Sequence, residues 1–361
     1  MDQAQGRALS TIASALAVRD WPRPRVTLAP LLVLAAVVAL ALSVAVAVTL
    51  GPADVSLVNV RDILLNHLRL ADIPVRAAED AIVWEERLPR ALVAAACGAG
   101  LGLCGAILQS LLRNPLADPF VLGVSSGAST GAVLIGVLGI GGGALGVSGG
   151  AFIGALAAFG VVLLLARFST GGTSSVVLAG VASTQFFSAL TSLVVFGFAD
   201  ADETRGVMFW LLGSLEGMRW DDVVLLSVVV AAGGVICIAS ARSLDAFAFG
   251  EDVAASLGIH VARTRVLLLV LTALLTAALV SVAGAIGFVG LVLPHAARLL
   301  FGQLHSRVIP ATAALGAVFM VWVDAASRVV FAPTPLPVGV GTALVGVPVF
   351  VLLLVRRRGH A

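Results

Sequence analysis

Residues 27–50 read TLAPLLVLAAVVALALSVAVAVTL, an uninterrupted apolar run without a charged side chain. A helix of this length crosses the hydrocarbon core of a bilayer, whereas the apolar core of a cleaved signal peptide is shorter. Several arginines precede the run, so residues 1–26 are predicted to form a cytoplasmic N-terminal segment. The run itself is therefore predicted to be an uncleaved first transmembrane span.

Further apolar runs of similar length fill the rest of the chain. The 361 residues are 60% hydrophobic and 12% charged, with a mean hydropathy of +1.09, and a soluble domain needs far more charged surface than this. We interpret residues 27–355 as the transmembrane domain of an all-α, polytopic membrane protein with about ten transmembrane helices. The predicted spans are 27–50, 91–112, 119–139, 148–166, 175–197, 222–240, 266–283, 285–301, 308–330 and 338–355.

The distribution of arginine orients the predicted helices. The predicted inner segments hold more arginines than the outer ones, as the positive-inside rule requires. The long first outer segment, residues 51–90, departs from this rule because it carries five arginines among seven acidic residues. Both termini are then expected to be cytoplasmic, with residues 356–361 as the C-terminal tail.

The chain has 22 arginines and no lysine. The absence of lysine excludes several kinds of chemistry. A P-loop needs a lysine on the β- and γ-phosphates, and a Schiff-base enzyme needs a lysine amine. Any ATP hydrolysis must therefore take place in a partner, and the chain itself is predicted not to be an enzyme. Cys97, Cys104 and Cys237 lack the spacing of zinc ligands and are interpreted as buried small hydrophobes.

Two predicted loops are too long to be simple turns. In residues 51–90, apolar residues recur at near-helical spacing, which predicts an amphipathic stretch on the outer surface. In residues 241–262, the longest inner loop, the apolar positions from Phe247 to Leu257 predict a short helix that ends at Gly258. Such a helix either docks a soluble partner or rests on the membrane surface, and the residues alone leave both interpretations open.

Charged side chains inside the predicted spans are few. Asp324 lies in the ninth span and Arg328 follows four residues later, so both lie on one helix face and can pair. A structural pair is the main interpretation of Asp324, and a position lining a transport pathway is the alternative. An ion-coupled porter would need several buried carboxylates, and a metal-dependent intramembrane protease would need a motif such as HExxH, which the sequence lacks.

The second predicted span ends at a polar turn. Gln109 precedes Asn114-Pro115, and an Asn-Pro pair begins a turn and blocks continuation of a helix. A tight inner turn explains this motif without a further function. His295 and His305 lie near the end of the eighth span. We interpret them as part of a group of basic residues that follows the positive-inside rule, and a metal site formed by the two histidines is the less favoured alternative.

Taken together, these motifs resemble the FecCD-type permeases, which are the membrane subunits of ABC importers for ferric siderophores, haem and cobalamin. The resemblance covers about residues 30–355. It is carried by Arg87-Leu-Pro-Arg90, by Gly105 through Pro119 to Leu122–Ala128, by Trp210–Ser214 with Trp220, and by Gly284–Leu291 through Pro294, His295 and Arg298 to Leu336–Gly339 and Gly346–Phe350.

The resemblance implies the ABC type II importer permease fold and a location in the bacterial cytoplasmic membrane. Such a subunit works as a dimer, with either an identical copy or a paralogue, and the translocation pathway lies between the two subunits. Two cytosolic ABC ATPase subunits would dock on the inner side, and an extracytoplasmic substrate-binding protein would dock on the outer side. The resemblance implies no cofactor, no bound metal and no nucleic-acid partner.

The resemblance also implies roles for particular residues. The inner loop between the sixth and seventh spans touches the ATPase in such permeases, which favours docking for Glu251, Asp252, Ala254, Ser256, Leu257 and Gly258. The outer arginines that meet acidic residues of the binding protein match Arg87, Arg90 and Arg328. The cytoplasmic gate corresponds to Thr170, Gly171, Gly172, Thr173 and Ser174. The remaining motif residues, interpreted as structural, are Gln109, Asn114, Pro115 and Asp324.

The sequence departs from the family pattern at two turns. The family often has Asp-His-Arg after the eighth span, where residues 303–307 here read QLHSR. Before the tenth span the family often has Glu-Leu-Pro-Gly-like residues, where residues 334–337 read TPLP and lack the acid. The first departure weakens the transfer of any detailed role to that inner turn. The second leaves an outer contact or a structural cap undefined.

We therefore predict import of an iron chelate, driven by ATP hydrolysis in a partner. A ferric siderophore is the expected chelate because such substrates are frequent in the family, and haem and cobalamin are the alternatives. An ion-coupled secondary transporter is less compatible with the chain because buried carboxylates are scarce. An ABC exporter permease is less compatible because the long cytosolic helical extensions of exporters are absent from the sequence.

Overall fold

The computed structural model of the protein describes residues 28–140, 146–168, 173–332 and 334–358. The expected N-terminal segment 1–26 lies outside the described residues. All regular structure in the described ranges is helical. The helices are α1 (Leu28–Thr49), α2 (Leu57–His67), α3 (Ala77–Leu111), α4 (Val124–Gly136), α5 (Gly146–Arg167), α6 (Thr173–Phe198), α7 (Ala201–Leu211), α8 (Trp220–Ala239), α9 (Ala241–Ala248), α10 (Glu251–Ser256), α11 (Val261–Ala283), α12 (Val289–Phe301), α13 (His305–Val329) and α14 (Val338–Arg358).

Helix α1 contributes to two compact units of the chain, one comprising residues 1–39 and the other residues 40–361. In the first unit, the described turns of α1 expose leucine and valine side chains such as Leu31 and Leu34, each 59% exposed. Uncharged, apolar and exposed helical surface of this kind is suited to lipid. In the second unit, the last turns of α1 are buried at Ala47 and Val48.

Seven helices in the described ranges are long and apolar enough to cross a membrane, namely α1, α3, α5, α6, α8, α11 and α13. Three shorter apolar helices accompany them: α4, α12 and Val338–Leu352 of α14. Together they match the ten predicted spans in order and approximate position. The chain is a multi-pass, all-α membrane protein, as the sequence predicts.

Helix α3 is the central helix of the second unit, and almost every residue from Leu88 to Leu111 is buried. Its glycines allow neighbouring backbones to approach closely. A Cβ atom at Gly98 would overlap the carbonyl oxygen of Gly316 on α13, and one at Gly105 would overlap that of Gly290 on α12. Packing in lipid depends on such small residues, because apolar side chains gain no hydrophobic energy by leaving one apolar medium for another.

Two of the predicted spans begin later than expected. Residues 119–139 were expected to form one helix, but a short 3₁₀ turn at Pro119–Leu122 comes first and α4 begins only after Gly123, whose φ of 71° breaks the helix. Residues 285–301 were likewise expected to be helical, but α12 begins at Val289 after Phe288, which has a φ of 68°. Helix geometry requires negative φ, so each residue sets the boundary.

The segments that are predicted to be outer are more helical than expected. The predicted amphipathic stretch is α2, which Ser56 caps by accepting a hydrogen bond from the Asn59 backbone. Helix α3 begins at Ala77 instead of near residue 91, and it passes through a π-helical stretch at Ala81–Arg87. Helix α7, in the outer connection before α8, was not predicted.

Candidate functional site

A polar cluster on the predicted outer side, here called the outer polar cluster, lies where α3, α13 and the end of α1 meet. Arg87 donates hydrogen bonds to the backbone oxygens of Val48, Thr49 and Ala53 at 3.0, 3.1 and 2.7 Å. The last carbonyls of a helix have no partner within that helix, and a guanidinium satisfies them with charge-assisted hydrogen bonds. Arg87 therefore caps α1, and the side chain is only 4% exposed.

Asp324 is the acidic centre of the same outer cluster and is fully buried on α13. Arg90 Nε donates to Asp324 Oδ1 at 2.8 Å, and Arg328 Nε lies 3.3 Å from Asp324 Oδ2 in an ion pair without hydrogen-bond geometry. Arg328 also donates to the carbonyls of Leu50 and Ala47 at 3.0 and 2.9 Å. The expected pairing of Asp324 with Arg328 is present, and Arg90 joins it from α3.

The three arginines expected to dock a binding protein are thus buried, at 4%, 6% and 6% exposure for Arg87, Arg90 and Arg328. Their burial was not predicted from the sequence. Their guanidinium groups are directed towards main-chain carbonyls and a carboxylate of this same chain. Their docking role stays a prediction, and any such role must operate beside this structural one.

A second polar cluster, on the predicted inner side and here called the inner polar cluster, lies at the opposite end of α3, about 33 Å from Arg87 at the rise of an α-helix. Gln109 Nε2 donates to the carbonyls of Gly290 and Leu291 on α12 at 3.2 and 3.1 Å. Arg298, on the same helix, donates to Gln109 Oε1. Gln109 therefore holds α3 to the first turn of α12, where the backbone of Gly290 also packs closely against Gly105.

The turn after α3 follows the predicted Asn-Pro pattern. Asn114 Oδ1 accepts a hydrogen bond from the Leu116 backbone N–H at 2.9 Å, and the backbone carbonyl of Asn114 accepts one from the Ala117 N–H. Arg113 has a φ of 47°, so the chain changes direction two residues after the end of the helix at Leu111. Asn114 and Pro115 are exposed, as expected for a turn between two spans.

The predicted inner docking loop folds as two short helices, α9 and α10, with Gly250 between them at a φ of 113°. One side of this segment faces the protein: Leu244, Phe247 and Ala254 are at most 2% exposed. The other side is apolar and exposed at Phe249, Val253 and Leu257, with 78%, 41% and 67% exposure. We call this exposed side the apolar stripe.

The predicted coupling residues divide between the two sides of the segment. Glu251 forms an ion pair with Arg265 at the start of α11, and Ala254 is buried. Asp252, Ser256 and Leu257 are exposed, and the Ser256 hydroxyl donates to the Val253 carbonyl at 2.8 Å. Gly258 ends the segment at a φ of 81°, which fits the predicted C-cap.

The predicted gate falls largely outside the described residues. Thr170, Gly171 and Gly172 are not described, whereas the backbone of Thr173 begins α6 and Ser174 is exposed in its first turn. The gate role of all five residues stays a prediction. The three cysteines are buried thiols, and in the described ranges no three His, Cys, Asp or Glu side chains are grouped to hold a metal ion.

Sequence reasoning assigned no role to Ser110 or Asp245, which both contact His305 in the inner region. These contacts join residues that are 195 and 60 positions apart. Helical periodicity reports only on neighbours within one or two turns, so it gave no signal for them.

Comparison with known proteins agrees with this architecture. The sequence matches the FecCD transport family over residues 34–356. It is 43% identical over 285 residues to the cobalamin import system permease protein BtuC of Halobacterium salinarum, covering 78% of this chain and 75% of the relative. It is 36% identical over 313 residues to the iron(3+)-hydroxamate import system permease protein FhuB of Bacillus subtilis, covering 86% and 79%.

A solved structure has the same fold. An inward-facing metal-chelate type ABC transporter superposes with a TM-score of 0.79 at 28% identity, covering 91% of this chain and 99% of that chain. The match includes nearly all of both chains, so the helices described above account for the whole of that permease fold. The chain belongs to the FecCD transport family and is the membrane-spanning permease of an ABC importer.

Proposed function

We propose that this chain imports a metal chelate across the bacterial cytoplasmic membrane, with ATP hydrolysed by separate subunits. The observation that carries the proposal is the two-sided inner segment α9–α10. Leu244 and Phe247 anchor it in the core of the permease, while the apolar stripe at Phe249, Val253 and Leu257 remains exposed. A short amphipathic element outside the spans, held on one side and free on the other, is suited to dock a soluble partner.

The partner on the apolar stripe is the ABC ATPase. The chain has no lysine and so lacks a P-loop of its own, and its family is one of ABC transport permeases. Asp252 and Ser256 are exposed beside the stripe and supply its polar edge. The complete assembly contains two ATPase subunits, a second permease copy or paralogue, and an extracytoplasmic substrate-binding protein.

The substrate is a metal chelate, and a ferric siderophore is the first candidate. It is supported by the B. subtilis relative, whose name specifies iron(3+)-hydroxamate import. Cobalamin is the second candidate, because the H. salinarum relative at 43% identity is named for cobalamin import. Haem is the third. Both termini and the segment α9–α10 lie on the cytoplasmic side, consistent with the excess of arginine in the inner segments.

Transport is tested in proteoliposomes that hold this permease with its ATPase and binding protein. Labelled ferric siderophores, haem and cobalamin are supplied in parallel, with and without ATP. We expect ATP-dependent accumulation of one of these chelates. Uptake that needs an ion gradient and no ATPase would reject the proposal in favour of a secondary transporter.

Docking of the ATPase on the apolar stripe is tested with Leu257→Asp. A buried apolar contact that becomes charged loses its desolvation gain, so binding to the ATPase should fall by about tenfold or more. Leu70→Asp is the matched control, because Leu70 is 71% exposed, similar to Leu257 at 67%, but lies in the outer segment. Equal ATPase binding by both variants would rule out the stripe as the docking surface.

A further inference from the structure

His305 bridges three helices on the inner side. It is the first residue of α13 and is 3% exposed. Its Nδ1 lies 2.6 Å from Asp245 Oδ1 on α9, and its backbone N–H donates to the same oxygen at 2.9 Å. Its Nε2 lies 2.5 Å from Ser110 Oγ on α3. One imidazole thus joins the helix that precedes α10 to the central helix of the fold.

The order aspartate–histidine–serine occurs in hydrolytic triads, but the position of Ser110 does not suit a nucleophile. Ser110 lies inside α3, is 7% exposed, and donates from Oγ to the Ala106 carbonyl at 3.0 Å. A catalytic serine needs access to a substrate carbonyl and N–H donors aimed at the developing oxyanion. Here the surrounding backbone belongs to a continuous buried helix, so the contacts join helices instead of supporting acyl transfer.

Asp245 is placed to transmit movement of the inner segment. It lies on α9 between Leu244 and Phe247, the two residues that anchor this helix, and it precedes the apolar stripe in the chain. Its carboxylate accepts both a side-chain and a main-chain hydrogen bond from His305. Because both bonds end on the first residue of α13, a shift of α9 acts directly on the start of that helix.

Ser110 joins His305 to α3. Its neighbour Gln109 binds the α12 carbonyls of Gly290 and Leu291, so consecutive residues of α3 hold α12 and α13. Arg298 on α12 also donates to Gln109 and lies on the same inner side as His305. The three helices and the inner segment are therefore linked by directional polar contacts, which specify position more closely than apolar packing does.

We propose that Asp245, His305 and Ser110 are positioning residues that couple movement of α9–α10 to α3 and α13, so that ATP hydrolysis drives translocation. This inference rests on the proposed function, since it assigns a route from the ATPase docking segment to the transmembrane helices. In this role the three residues act through the helices that they join, without direct contact with ATP or the chelate. They affect the number of chelate molecules that are transported for each ATP hydrolysed.

The test compares Ser110→Ala and Asp245→Ala with Asp245→Asn in proteoliposomes containing the ATPase and binding protein. Labelled ferric hydroxamate and labelled cobalamin serve as probes, and chelate transported per ATP hydrolysed is measured per folded permease. Ser110→Ala removes only a hydroxyl, so it tests the link even where Asp245→Ala does not fold. Ser192→Ala is the matched control, because Ser192 makes the same bond to the carbonyl four residues before it but is exposed.

We expect Ser110→Ala and Asp245→Ala to bind the ATPase normally and to hydrolyse ATP, while transport per ATP falls about 2- to 30-fold. Asp245→Asn keeps an oxygen acceptor for the His305 backbone and should restore part of the ratio. If folded Ser110→Ala transports as much chelate per ATP as the wild type, the coupling role of these three residues is wrong, while the proposed function is unaffected. The same conclusion follows if the variants lose ATPase binding instead of transport per ATP. A wild-type assembly that accumulates neither probe with ATP is then given labelled haem, and failure with all three chelates overturns the metal-chelate assignment and this inference with it.

Discussion

The Asp324→Ala substitution removes the carboxylate that pairs with both Arg90 and Arg328 and leaves these two arginines without that partner. Asp324 is fully buried, and the side chains of Arg90 and Arg328 are 7% and 6% exposed at 2.8 and 3.3 Å from it. A guanidinium that has lost its counter-charge in this position cannot be rehydrated without opening the helix contacts around it. The variant should therefore be destabilised well beyond the loss of one surface ion pair.

The magnitude follows from the partners that remain. Breaking a buried ion pair by removing one member costs about 3–5 kcal/mol, because the other charge stays buried. Arg328 keeps its bonds to the carbonyls of Leu50 and Ala47, so the larger part of the cost falls on Arg90. Removing both members and filling the space with apolar side chains is often nearly neutral. The double variant Arg90→Met/Asp324→Leu should thus be more stable than Asp324→Ala.

Unfolding in mixed micelles on titration with SDS, followed by the fluorescence of the five tryptophans, gives the free energies. Asp202→Ala is the control, since its ion pair with Arg205 is 3.5 Å long and 92% and 74% exposed at the two side chains. Exposed pairs contribute little, so this variant should unfold like the wild type. Equal unfolding free energies for Asp324→Ala and Asp202→Ala would refute the reasoning, as would a double variant less stable than Asp324→Ala.

Two further predictions concern packing and titration. Gly105→Ala places a Cβ against the Gly290 carbonyl and should destabilise the permease by about 1–3 kcal/mol or more. Gly160→Ala is the control, because a Cβ added there meets open space and should not destabilise the fold. Thermal unfolding in detergent compares the two variants. Burial raises the pKa of the Asp118 carboxyl from 3.8 to about 6, so the folded state favours its protonated form and stability should fall as pH rises from about 4 to 6. Asp118→Asn keeps an acceptor for the Phe120 backbone and should flatten that slope, which unfolding midpoints across this pH range would show; an unchanged slope would contradict the assignment.

The positions of the long spans could be predicted because each is a local property of the chain. The run 27–50 emerged as α1, Leu28–Thr49, since a helix is the structure that satisfies every backbone group of an apolar segment in lipid. The early start of α3 was missed because the acidic residues between Ala77 and Arg87 interrupt the apolar pattern while remaining compatible with a helix. Helix α7 was missed although Asp200 and Glu203 form a capping box, a signal that the sequence does contain.

The polar contacts were predictable only where they are local. Asp324 and Arg328 lie one helical turn apart, so their pairing follows from the helix alone. Arg90 is 234 positions from Asp324, and its approach depends on how α3 packs against α13. The burial of the outer arginines was missed for the same reason. Arginine in a predicted outer loop is normally solvated, and only the folded chain reveals that carbonyls of α1 surround Arg87.

The two polar clusters together explain how so apolar a chain can specify the position of its central helix. Along most of α3, the contacts are glycine and aliphatic packing, which hold helices close but oppose sliding along their axes only weakly. Arg90 with Asp324 at one end, and Ser110 with His305 at the other, pair specific atoms of α3 with specific atoms of α13. Sliding by one turn would leave both ends with buried, unpaired polar groups, and each such group is costly in an apolar medium. Helices α3 and α13 are therefore expected to move as one body, and movement of the inner segment should tilt or rotate this pair instead of shifting one helix past the other.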